Sequence, residues 1–333
     1  MTQFYYTVTE KDKELSVKEL LRRNFHFSSR LLTKLKKNDL VTVGGFPVRG
    51  WMKLQAGDKL TITLPEETCD FLPEDIPIET VFEDEHLLVI NKQPGYVVHP
   101  TKGKPNNTIA NGIMKKMADD GAMYKIRFAN RLDMNTSGLL IIAKSSFVQE
   151  SLIQQMKRNQ VEKRYLAVLD GIIMEENGTV DKPIGRPDPD EVERWILPVE
   201  SGGYDSVTHY TVLRRFKNDS PEGCPSGYTL AELKLETGRT HQIRVHMASI
   251  GHPVTGDHLY CNGDPFEYRR TLKEKHLCSE SFCSDTANPY IKRQALHAYT
   301  LSFTHPVSGE KLELEAPLPD DMKTLIEKIG KLH

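Results

Sequence analysis

The chain has 333 residues, 38% of them hydrophobic and 27% charged, and its 44 Lys and Arg against 46 Asp and Glu give a net charge of −2. That length exceeds most single domains, so a large domain with a smaller companion and a sizeable core are expected. The balanced charge excludes the global basic excess of many nucleic-acid binders, so any contact with a polyanion must come from local patches.

No stretch has the apolar length needed to span a bilayer. The opening MTQFYYTVTEKDKELS has no basic patch followed by an apolar run, so no secretory leader and a cytoplasmic location are expected. Residues 16 to 25 place Val17, Leu20, Leu21 and Phe25 at helical spacing. A second short helix follows with Leu31, Leu32 and Leu35, and Ser28 and Ser29 are suitable caps. It carries Arg30, Lys34, Lys36 and Lys37, a cluster that suits phosphate contacts or an ordinary solvated face. Leu40 to Val43 reads as a strand entering a turn at Gly44 and Gly45, and Gly57 to Leu64 as an alternating strand. These elements define a small module over residues 13–68.

The stretch CDFLPEDIP, 69–77, is acidic and Pro-rich and reads as a linker to a large domain over 78–333. Strands are expected there at Leu87 to Asn91, Leu139 to Ala143, Tyr165 to Leu169, Val207 to Leu213, Thr229 to Leu235, Tyr299 to Phe303 and Lys311 to Glu315. Helices are expected at 108–118, with Ile109, Ile113 and Met117 on one face, and at 147–157, with Val148, Leu152 and Met156 on one face. Strands outnumber helices without regular alternation, which predicts an α+β fold with a mainly antiparallel sheet. Cys261 to Tyr290 is polar and aperiodic and reads as a surface insertion. The five cysteines, Cys69, Cys224, Cys261, Cys278 and Cys283, lack close pairing, so free thiols are expected. Even with His258 and His276 nearby, they match no structural zinc spacing, and no metal is expected.

The stretch around which the large domain is organised is Asn130-Arg131-Leu132-Asp133-Met134-Asn135-Thr136-Ser137-Gly138, running into Leu139-Leu140-Ile141-Ile142-Ala143. The apolar run is short and β-branched and reads as a strand buried on both faces. The turn before it presents one carboxylate, Asp133, on a loop braced by a rigid strand, a place where catalytic residues concentrate. An Asx-turn with Arg131 as a surface partner would account for the same spacing.

The segment RLDMNTSGLLIIAK resembles the signature of RluA-type RNA pseudouridine synthases, in which the Asp is catalytic. Further matches lie at Asn91 to Pro100, Thr237 to His246 and Arg293 to Ala298, so the resemblance spans most of the chain. It implies an isomerase that breaks the bond between uracil N1 and the sugar, turns the base and rejoins it through C5, with no cofactor. The 13–68 module resembles the S-four-type RNA-binding module, except that Asn38-Asp39-Leu40 stands where the pattern usually carries Gly. The partner implied is RNA, ribosomal RNA first and transfer RNA second, and the enzyme is taken as a monomer.

By that resemblance Asp133 acts as nucleophile or base, and Tyr165 stacks on the uracil near the proton leaving C5. Arg239 is the cation that keeps Asp133 ionised, with phosphate binding or a surface pair as its alternatives. Arg131 fills the space left by the flipped nucleotide or contacts a phosphate. The family commonly has His where this chain has Asn130, which keeps hydrogen bonding but cannot titrate near neutrality. His241 and His246, five apart, are taken as structural. The rival readings are a non-catalytic RNA-binding or assembly factor, and a nucleobase hydrolase or deaminase; the deaminase lacks its zinc pattern here.

Overall fold

The computed structural model describes residues 3–25, 27–48, 52–65, 67, 69–101, 103–188, 192–217, 227–260, 288 and 290–331. The expected insertion at 261–290 lies outside them apart from 288 and 290, as do Cys224, Cys261, His276, Cys278 and Cys283.

The N-terminal region contains β1 (Gln3–Thr7), α1 (Val17–Asn24), α2 (Ser29–Lys37), β2 (Val41–Val43), β3 (Phe46–Pro47) and β4 (Lys59–Thr63). Its sheet has the order β1-β4-β2-β3. Each helix starts where its sequence stops competing with the backbone. Ser16 caps α1 by accepting from Glu19 N, with the Glu19 carboxylate accepting from Ser16 N in return, and Ser28 caps α2 by accepting from Leu31 N. Leu20, Leu21, Leu32 and Leu35 pack against Leu54, Leu60 and Ile62 in a core of their own. The sheet begins before residue 13, since Gln3 pairs with Thr63 and Thr7 with Lys59. Asp39 takes the left-handed conformation, with φ 51°, which explains how it stands where the motif usually has Gly.

Residues 69–77 do not hang free. Ile76 is buried, Glu74 N donates to Asn111 O, and Asn111 Nδ2 donates to Leu72 O. The helix they run along contains Gly112, where a Cβ would lie 2.9 Å from the Ile76 side chain.

The large domain contains β5 (Glu79–Glu83), β6 (Leu87–Lys92), α3 (Ile109–Asp119), β7 (Arg127–Phe128), β8 (Ser137–Ala143), α4 (Ser146–Lys157), β9 (Glu162–Asp170) and β10 (Asn177–Asp181). It continues through β11 (Ile184–Gly185), β12 (Trp195–Ile196), β13 (Val207–Lys217), β14 (Gly227–Leu235), α5 (Gln242–Ala248), β15 (Leu296–Thr304), β16 (Lys311–Glu315) and α6 (Asp320–Ile329). A ten-stranded sheet runs β10-β13-β14-β9-β15-β8-β6-β5, with β16 beside β15 and β7 beside β8. Every described strand pair in it is antiparallel except β15 with β8, where His297 faces Ser137 and Ala298 faces Gly138. The fold is α+β, as its strand-rich pattern predicts. All of β8 is buried, and α3 and α4 turn Ile109, Ile113, Val148 and Leu152 inward. The single parallel junction lies at the start of β8, directly after the Asp133 loop.

Candidate active site

The loop that carries Asp133 is held from beneath by buried donors. Thr136 N closes the turn onto Asp133 O at 3.1 Å. Lys92, at the end of β6, is fully buried, and its Nζ donates to the carbonyls of Gln93, Met134 and Thr136, each at 2.9 Å. Burial and the neighbouring Arg293 charge push this ammonium down to about 7, while three carbonyls take all three of its protons. Arg293 Nη1 donates to Asn135 O at 3.0 Å, and its Nε is anchored to Asp321 on α6 at 2.6 Å. His297 accepts from the Ser137 hydroxyl at Nδ1 and donates from Nε2 to Ala316 O. Gly138 has φ 111°, and a Cβ there would lie 2.2 Å from Ala298 O, so only glycine lets β8 pass β15. Asn130 Oδ1 accepts from Ile141 N while its Nδ2 donates to Leu139 O, which ties the loop to β8. Its work is backbone hydrogen bonding, within the reach of Asn. The distant sequence matches therefore meet around one turn.

The cation beside Asp133 is Arg244, and this corrects the expectation for Arg239. Arg244 Nη1 donates to Asp133 Oδ2 at 3.0 Å. Its Nε and Nη2 grip both oxygens of Asp257, at 2.6 and 2.8 Å. Asp257 is wholly buried, whereas the Asp133 side chain is 24% exposed. Burial opposes the Arg244 charge, but Asp257 and then Asp133 outweigh it and hold the guanidinium above its usual range. Arg239 stands in the loop before α5, with its Nε donating to Asp205 O at 3.2 Å and its guanidinium 5.4 Å from the Tyr204 ring. The reason is local. Gln242 opens α5 and its Oε1 accepts from Arg239 N, which turns the preceding loop outward and leaves the helical Arg244 facing the turn.

Asp133 lies in a cavity of about 400 Å³ lined also by Arg131, Lys163, Tyr165, Arg239 and His241. Asp133, Tyr165, Arg239 and Arg131 are thus brought together. Tyr165, on β9, is 7% exposed, and burial, then the Asp133 charge, raise its phenol above its usual range. It stays protonated near neutrality and offers a ring face rather than a phenolate. Arg131 is exposed at the mouth. His246 is buried between Thr208 Oγ1 and Lys182 O, in keeping with a structural role, but His241 lies on the cavity wall, Nε2 3.8 Å from Asp133 Oδ2. The N-terminal cations are not part of this cavity. Arg30, Lys36 and Lys37 are exposed on α2, and Lys34 pairs with Glu67, which also meets Arg127. Among the described residues no cluster of metal-ligating side chains is found, and no helix is long and apolar enough to cross a membrane.

Residues 86–249 match the family model of RNA pseudouridylate synthase. An uncharacterised RNA pseudouridine synthase of Bacillus subtilis is 38% identical over 99% of this chain and 99% of its own length. The ribosomal large subunit pseudouridine synthase D of Haemophilus ducreyi is 37% identical over 88% of this chain and 84% of that protein. Among solved structures, human RNA pseudouridylate synthase domain containing 4 superposes with a TM-score of 0.54 at 25% identity, covering 75% of this chain and 92% of that one.

Proposed function

The chain belongs to the RNA pseudouridine synthase family, in its RluA/RluD-like branch, and from that premise we propose that Asp133 is its catalytic carboxylate and large-subunit ribosomal RNA its substrate. As a member it isomerises uridine in RNA. The N1 to C1′ bond breaks, the uracil turns, C5 joins C1′, and the proton on C5 leaves. Such a reaction asks for an ionised carboxylate able to act as nucleophile or base, a pocket for an extracted base, and groups that keep water out.

The observation that carries the assignment is the pair that Asp133, on the cavity wall, makes with the buried Arg244 at 3.0 Å. Arg244 is locked by Asp257 through Nε and Nη2, so Nη1 is aimed at Asp133 before substrate arrives, a preorganised arrangement. Tyr165 supplies an aromatic face for the uracil. Arg131 at the mouth is placed to enter the RNA stack as the uridine leaves, which suits a planar guanidinium. Arg239 and Lys163 on the rim meet the flanking phosphates. The N-terminal module, with Arg30, Lys36 and Lys37 exposed, adds a second electrostatic contact to the same RNA. The ribosomal assignment is supported by the Haemophilus ducreyi relative, a ribosomal large subunit pseudouridine synthase, and by the module, and a cytoplasmic location is part of the same proposal.

Tritium release from RNA labelled at uracil C5 tests the reading, with wild type and Asp133→Asn each given ribosomal and transfer RNA. Release from ribosomal RNA by wild type alone is expected. Release by the Asn variant would remove Asp133 from the chemistry, and release from transfer RNA only would move the substrate class.

A further inference from the structure

His241 adopts φ 58°, a left-handed conformation that a non-glycine residue holds only where its surroundings impose it. Gln242 imposes part of it by drawing back the loop through Arg239 N and the Thr237 hydroxyl. Tyr260 imposes the rest, with its hydroxyl 2.9 Å from His241 Nδ1 and its ring packed 5.1 Å from the Arg244 guanidinium. The backbone N–H of Arg194 donates to the same hydroxyl at 2.8 Å. A backbone N–H can only donate, so the phenol oxygen accepts there, and among the described residues Nδ1 is the one acceptor bonded to this hydroxyl that can take its proton. Nδ1 is then the acceptor, and a neutral imidazole carries its proton on Nε2.

That nitrogen faces Asp133, but at 3.8 Å it is too far for a hydrogen bond, and Asp133 Oδ2 is already served by Arg244. Among the described residues Nε2 has no acceptor within reach. The donor points into the space above the carboxylate, where the reacting nucleotide must lie.

We propose that His241 is a substrate-contacting residue of this synthase, donating its Nε2–H to an uncharged oxygen of the flipped uridine, and that Tyr260 is the positioning residue that fixes the tautomer. The proposal rests on the reading of Asp133 as the catalytic carboxylate. Burial lowers the imidazole to about 4, with Asp133 opposing, so the ring is neutral at working pH. A neutral donor beside a carboxylate suits a uracil carbonyl or a ribose hydroxyl. A phosphate there would be repelled by Asp133.

Single-turnover tritium release at saturating RNA, together with RNA affinity, compares wild type, Asp133→Asn, His241→Phe, His241→Gln and Tyr260→Phe. Loss of release in Asp133→Asn, from an active wild type, separates failure of His241 from failure of the underlying reading. His241→Phe keeps the bulk without the donor and is expected to slow the step roughly 10- to 100-fold at unchanged affinity. His241→Gln restores an N–H donor and is expected to recover most of the rate. Tyr260→Phe is expected to cost about 3- to 10-fold, and nitrogen-15 spectra of histidine-labelled protein should show His241 passing from the Nε2–H form to a mixture. A wild-type rate in His241→Phe, or equal losses in the Phe and Gln variants, would overturn the donor role. An unchanged His241 spectrum in Tyr260→Phe would overturn the role of Tyr260.

Discussion

Arg244 and Arg30 carry the same charge in opposite settings. Arg244 has 8% of its side chain exposed and each of its three nitrogens bonded to a carboxylate, two to Asp257 and one to Asp133. Arg30 is exposed on α2, as is Lys37 seven residues on. A buried charge is costly unless its partners are in place, so it fixes geometry and fails abruptly when a partner goes. An exposed cation attracts phosphates through solvent, is screened by salt, and is replaceable by its neighbours. The floor of the site and the surface of α2 thus use charge in two ways, to fix a geometry in one place and, in the proposed function, to attract phosphates in the other.

The contrast breaks first at Asp257. Asp257→Asn leaves Arg244 without its bidentate anchor and is expected to cost about 3 kcal/mol of stability and most of the turnover. A urea midpoint equal to wild type would show that this clamp does not organise the floor. Lys92→Met comes next, because it strands the buried carbonyl of Thr136 and the part-buried carbonyls of Gln93 and Met134 around the Asp133 turn. A loss of about 2 kcal/mol is expected, with faster amide exchange confined at first to residues 133–137; uniform acceleration would point to a global effect instead.

Asp170 sharpens the comparison through pH. Burial pushes its carboxyl up to about 6, Asp257 adds to the rise, and the Thr255 hydroxyl opposes it. The native state therefore holds this proton more tightly than the unfolded chain. Its stabilising contribution is complete below about pH 4 and lost as pH rises through about 6. Asp170→Asn keeps an acceptor for Thr255 and is expected to gain about 1 to 3 kcal/mol at pH 8 and nothing at pH 4; denaturant unfolding at the two pH values checks the sign. The smallest effect belongs to the module. Arg30→Ala with Lys37→Ala should weaken RNA binding less than about tenfold, flatten its salt dependence by about one ion per residue, and leave single turnover at saturating RNA unchanged.

Much of this was readable in the chain. Strands with a buried apolar face, such as β8, β9 and β14, follow from their alternation or apolar runs. What escaped was short or half-solvated: β1 buries only part of a five-residue strand, and β5 has a charged residue at each end and none of its five residues fully buried. The helix α6 was not among the expected elements, although Met322, Leu325 and Ile329 recur at helical spacing and all three are buried. In the site, Asp133 and Tyr165 stood out by their motifs. The choice between Arg239 and Arg244 did not, because it depends on where α5 begins, and Gln242 decides that through bonds to Thr237, Arg239, Val207 and Thr208. One signal was available: in Gln242-Ile243-Arg244-Val245-His246 the Arg stands between two β-branched apolar residues in a helix that is buried throughout, a position a cation occupies only with a carboxylate to meet. Asp257, its anchor, lies in a stretch without any motif, and Tyr260 likewise.

The most direct test of the account compares Arg244→Gln with Arg239→Gln in single-turnover tritium release at saturating ribosomal RNA. The account predicts a loss of at least about 1000-fold for Arg244→Gln with RNA still bound. For Arg239→Gln it predicts weakened binding and a nearly unchanged rate once the RNA is saturating. Turnover that survives in Arg244→Gln and vanishes in Arg239→Gln would contradict it.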